Sequence, residues 1–126
     1  MASARSTIAE LVETALADPS VTVIPFVRLV DVTAKTVMVG QTRVEPLPEA
    51  PLAMRLHTFE LYALVPGTTP SESLEDDLDV FALDVIDALE GSAVPNEVVV
   101  VSAERAPIDA KHHGYIITIT CPFTKA

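Results

Sequence analysis

Apolar side chains recur at spacings of three and four across residues 71–91, SESLEDDLDVFALDVIDALEG. Leu74, Leu78, Phe81, Ala82, Val85 and Leu89 fall on one face of a 3.6-period helix, while Glu75, Asp76, Asp79, Asp84, Asp87 and Glu90 cover most of the rest. Pro70 and Ser71 precede this helix, and acids crowd its first turns, where free N–H groups carry partial positive charge. Gly91 stands where a left-handed cap is expected. Two residues break the pattern: Val80 and Leu83 project from the acidic face, where a lone domain has no core to receive them.

A second amphipathic helix is expected over residues 7–17, with Thr7 and Glu10 as a capping box and Ile8, Leu11, Val12, Ala15 and Leu16 as its stripe. The Asp18-Pro19-Ser20 turn ends it. Residues 21–24 and 26–32 read as a strand interrupted at Pro25, and residues 36–39 as another, with Ala34-Lys35 as the turn between them. Residues 41–53, QTRVEPLPEAPLA, contain Pro46, Pro48 and Pro51 and are expected to form a semi-rigid projecting loop. It is read either as a docking element or as a surface excursion. Its candidate contact residues are Arg43, Val44, Glu45, Pro46, Leu47 and Pro48.

Residues 54–65 form the longest predicted strand. Arg55, His57, Phe59, Leu61, Ala63 and Val65 share one face, and Leu56, Thr58, Glu60, Tyr62 and Leu64 the other. Residues 97–103 (EVVVVSA) and 115–121 (YIITITC) are two further strands, read as an antiparallel pair because the intervening segment is too short for a crossover helix. The order α-β-β-β-α-β-β defines an α+β domain: an antiparallel or mixed sheet of about five strands with two helices packed on it.

Composition narrows the function. A chain of 126 residues forms one domain able to bury a core without metal or disulfide, and 49% hydrophobic residues argue against disorder. The single cysteine, Cys121, excludes an internal disulfide and suits a reducing compartment. No signal-peptide run or membrane-length apolar stretch is expected. A net charge of −10 argues against a general nucleic-acid surface.

Catalytic signatures are missing from the sequence: there is no nucleophile elbow, P-loop or Rossmann glycine pattern. Neighbours in an extended chain point to opposite faces, so His112 and His113 do not make a metal pair, and Cys121 is expected as a small core residue. The acidic cluster at 75–79, EDDLD, lacks the glycine turn and terminal glutamate of a calcium loop and reads as a solvated helix face. No enzyme, no cofactor and no metal site is expected.

The succession of an N-terminal amphipathic helix, a β-rich middle, the strand MRLHTFELYALVPG, the helix LEDDLDVFALDVIDALEG and the strand YIITITCPF resembles the tail-terminator proteins of long-tailed bacteriophages, especially those infecting actinobacteria. The resemblance spans nearly the whole chain. It is carried by the strand-VPG-helix unit of residues 59–91 and by the Ile/Thr final strand; the proline-rich residues 45–52 depart from the family's style. It implies a non-enzymatic virion protein, assembled in the host cytoplasm, that forms a hexameric ring. Such a ring sits on the last ring of the tail-tube protein, ends tube polymerisation and presents a surface to the head-tail connector. DNA would pass through its lumen without sequence-specific binding, and no membrane is involved. On this reading Val80 and Leu83 are subunit contacts, and the loop residues 43–48 touch a neighbouring subunit, the tube's last ring or the connector. Another phage neck or minor tail protein, or a cytoplasmic small-ligand-binding α+β domain, are the alternatives.

Overall fold

Two helices and five strands follow one another as α1 (Ala4–Leu16), β1 (Thr22–Ile24), β2 (Thr36–Pro46), β3 (Met54–Leu64), α2 (Glu72–Glu90), β4 (Val99–Pro107) and β5 (His113–Thr124). This computed structural model describes residues 4–27, 33–46, 54–67, 71–91, 98–108 and 112–124. The sheet is mixed, in the spatial order β1-β2-β3-β5-β4. β1 runs parallel to β2, and every other neighbouring pair is antiparallel. The expected α+β architecture and element order are therefore present.

Alternation along β3 explains why both helices lie on one side. Phe59, Leu61 and Ala63 point to the same face and are fully buried, with Val37 and Val39 of β2 and Ile117, Ile119 and Cys121 of β5 beside them. Ile8, Ala9 and Val12 of α1 and Leu78, Phe81, Val85 and Leu89 of α2 close over this surface. Burying each large α2 side chain contributes roughly 1.5–3 kcal/mol before ordering costs. The opposite face carries a smaller cluster of Ile24, Met38 and Leu64, with Tyr62 and Ile108 against it.

Helix α2 starts as its sequence predicts. Ser71 is extended, its Oγ accepts from the Leu74 amide at 3.1 Å, and its carbonyl accepts from Glu75. At the other end Gly91 is extended (φ −68°, ψ 152°) rather than left-handed, and its N–H reaches the Ala88 carbonyl at 3.4 Å.

Other boundaries move. α1 begins at Ala4, so Thr7 lies inside the helix and does not cap it; Ala4 packs on the core and extends the first turn. α1 ends on Ala17 in the left-handed region (φ 51°), a position more often given to glycine, and Ser20 then closes a turn on the Asp18 carboxylate. Lys35 leads β2 in beside β1 through its carbonyl, which accepts from the Thr22 amide; residues 28–32, expected as strand, lie outside the described residues.

The largest correction concerns the expected loop. Residues 41–46 are the second half of β2, paired with β3 as far as Pro46 opposite Arg55, with a bulge between Gln41 and Arg43. β1 partners β2 as far as Met38, and beyond it no described strand pairs with this edge of β2, so a proline lacking an N–H is tolerated there. Leu47 and Pro48, with the rest of 47–53, lie outside the described residues. β4 likewise runs on to Pro107 along β5.

Gly114 is where β5 passes closest to β3: a Cβ there would sit 2.5 Å from the Ala63 carbonyl oxygen, which is backbone and cannot rotate away. Gly114→Ala should therefore prise the central pair apart and lower the melting temperature by several degrees, whereas an unchanged melt would mean the strands can shift freely. Val85 is 0% exposed between α2 and the sheet. Val85→Asp should cost about 3–5 kcal/mol in urea unfolding by burying an unpaired charge, and a midpoint equal to the parent's would contradict the packing.

Candidate functional site

With its inner face sealed, α2 shows what its outer face carries. Val80 is 55% and Leu83 59% exposed, three residues apart on the surface turned away from the sheet. Asp76, Asp77, Asp84 and Asp87 surround them, all exposed. The two apolar side chains that broke the sequence pattern thus have no intramolecular core, and apolar groups within a polar rim are characteristic of contact surfaces.

The acidic cluster at 75–79 is not uniformly solvated. Arg105 of β4 reaches across to Glu75 with both terminal nitrogens, each on a different carboxylate oxygen. The Tyr115 hydroxyl of β5 donates to Asp79 Oδ1 at 2.7 Å. These two acids clasp the flank of α2 to the sheet, while Asp76 and Asp77 remain outside. Sequence spacing could not separate them, because the partners are 30 and 36 residues away. The guanidinium holds the Glu75 carboxyl below the usual carboxylate range, and the bond to Asp79 and partial burial raise the Tyr115 hydroxyl.

A second surface lies at the end of the sheet where the second half of β2 pairs with the start of β3. Val44 is 46% exposed, and Arg43 pairs through Nε with Glu45 at 3.0 Å. Arg5 of α1 joins Gln41, Thr42, Arg43 and Val44 around a shallow depression. Gln41 Nε2 lies 2.9 Å from His57 Nδ1; an amide nitrogen only donates, so the neutral ring accepts there. Partial burial, and then the neighbouring Arg55, lower the His57 pKa and favour that neutral form. The His57 ring stacks near Phe59 and meets Phe123 edge-on with centroids 5.0 Å apart.

Of the sequence-predicted contact residues, Arg43, Val44, Glu45 and Pro46 therefore sit on this strand end, and Val80 and Leu83 sit apart from them on α2. Val99 and Val101, 55% and 59% exposed on the edge strand β4, are further apolar positions that sequence reasoning missed. Alternation marks a strand but does not say that it ends a sheet.

A cleft of about 390 Å³ opens between the end of α1 and α2, lined by Leu16, Asp18, Lys35, Phe81, Asp84 and Asp87 among others. The Lys35 ammonium lies 5.7 Å from the Phe81 ring centre, within cation–π range. Among the described residues no three His, Cys, Asp or Glu side chains converge as a metal site, and no helix is long and apolar enough to cross a membrane. Cys121 is a fully buried thiol packed in the core, outside any disulfide. The sequence matches no protein-family model and has no significant similarity to any curated protein.

The clasp should be visible in acid. A carboxyl with a depressed pKa contributes stability above its ordinary value of about 4.5 and loses it as pH falls through the lower folded value. Glu75→Gln should melt below the parent at pH 7 and coincide with it at pH 2. A gap that persists undiminished at pH 2 would show that the ion pair is not its source.

Proposed function

We propose that this chain is a non-enzymatic assembly subunit, a phage tail terminator whose copies form a ring that caps the tail tube and meets the head connector. The observation that carries this reading is the pair Val80 and Leu83, more than half exposed on a helix whose other face is entirely closed. Burying two such side chains against another subunit removes apolar surface that the monomer leaves in water. The resemblance in element order supplies the kind of assembly, and the acidic charge suits it. Six copies at −10 each carry −60, and where that charge lines a channel it repels DNA phosphate and lets the genome pass without sticking.

The strand end at Arg43–Pro46 has a place in the same reading. Paired backbone on β3 holds Arg43 and Val44 in fixed positions, so a partner meets a surface that loses little conformational freedom on contact.

The purified chain should run as an oligomer in native mass measurements and appear in electron micrographs as rings with a central hole. Added to polymerising tail-tube protein, these rings should end tube growth. A monomer holding a small molecule in the cleft between α1 and α2 would overturn the reading in favour of a ligand-binding domain, and rings that leave tube length unchanged would point to another neck component. The double variant Val80→Ser/Leu83→Ser should keep the parent's circular-dichroism spectrum and shift the oligomer toward monomer. Unchanged assembly would remove these residues from the contact.

A further inference from the structure

We infer that the acidic outer face of α2 is received by the arginine-bearing end of the sheet in a second copy of this chain, in a head-to-tail contact. This rests on the ring reading above and adds which two surfaces meet. The helix face offers Val80 and Leu83 among Asp76, Asp84 and Asp87, all exposed. A two-fold contact of this face with itself would press aspartates against aspartates while removing water from between them, so its occupant is cationic around an apolar centre.

The chain carries such a surface. Five Lys and Arg residues fall among those described: Arg5, Lys35, Arg43, Arg55 and Arg105. Arg105 is committed to Glu75, and Lys35 lies over the Phe81 ring. Of the other three, Arg5 and Arg43 meet beside the half-exposed Val44. Both line its depression, whereas Arg55, two positions from His57 on β3, alternates onto the other face of the sheet from Arg43, whose register partner is Thr58. Among the described residues Glu45 engages Arg43 through Nε, which leaves the Nη groups in position for a carboxylate of another chain. Among the described residues, Arg5 and Arg43 against Glu45 leave this depression net positive on a chain of −10, the sign that the helix face lacks.

Because the two patches are different surfaces of one subunit, each contact leaves one of each kind open, and addition continues until the array closes. The contact is charged and exposed at its rim, so it weakens as salt rises.

Two variants test the pairing in low-salt buffer. D84R/D87R makes the helix face basic, and R5E/R43E makes the sheet end acidic. Each alone places like charges together and should run as the 13.5 kDa monomer with the parent's circular-dichroism spectrum and melting temperature. Mixed one to one, they present opposite charges at both kinds of contact and should restore rings of alternating subunits, seen by native mass spectrometry as equal numbers of each. The neutral variants D84N/D87N and R5Q/R43Q, which put no new charge into the fold, should each loosen the parent ring. Rings that form from either charge-reversed variant alone, or folded variants that stay monomeric when mixed, overturn the pairing and leave the ring itself standing. A parent chain that is monomeric under these conditions removes both the pairing and the ring.

Discussion

The seating of α2 on β3 and β5 is the contact on which the remaining structure depends. Phe81, Val85 and Leu89 meet Phe59, Leu61, Ile117 and Ile119, all essentially without solvent exposure. The same helix then fixes the polar geometry. Glu75 and Asp79 sit one turn apart on its flank and reach Arg105 and Tyr115, so the edge strand β4 and the central strand β5 are both tied to it. Hydrophobic burial is non-directional and would tolerate some rotation of a helix on a sheet. The charge-assisted fork and the hydroxyl bond are directional, and they set which residues look outward. Val80 and Leu83 are exposed because of that choice.

How much could be read from the chain follows from the range of each interaction. The inner face of α2 was legible because its pattern is local and repeats over five turns. The two faces of β3 were legible for the same reason, as was the antiparallel pairing of the last two strands. The course of β2 was not, because Pro46, Pro48 and Pro51 suggest a loop. A proline forbids a strand only where its missing N–H would face a neighbour, and β2 at Pro46 has β3 on one side and no described strand on the other. The Thr7–Glu10 spacing matched a capping box inside a helix that starts earlier. Among the candidate contact residues, Val80 and Leu83 were visible as misfits to a period. The meeting of Arg5 with Arg43 beside Val44 was invisible, since it is made by a helix start and a strand brought together only by folding.

Acidic residues thus serve two purposes in one helix. Glu75 and Asp79 are consumed internally, and Asp76, Asp77, Asp84 and Asp87 are left for the surroundings. A count of charge along the sequence treats them alike. In the assembly reading the outward set discriminates among partners, while the inward set ensures that it is presented in one orientation only.

The position of β5 governs when this molecule can become itself during synthesis. It is the last strand made, yet it lies between β3 and β4 in the sheet. From Leu64 to Thr124 the ribosome adds 60 residues, which takes roughly 3–12 s at about 5–20 residues per second. Throughout that interval β3 has one edge without its partner, and the apolar row Phe59, Leu61 and Ala63 waits for Ile117 and Ile119. Nascent chains on one messenger therefore display matching open edges side by side, the arrangement most prone to mispairing. A chaperone that shields β3 until β5 emerges would act at the point of greatest hazard, and the sheet could close only once β5 has left the ribosome.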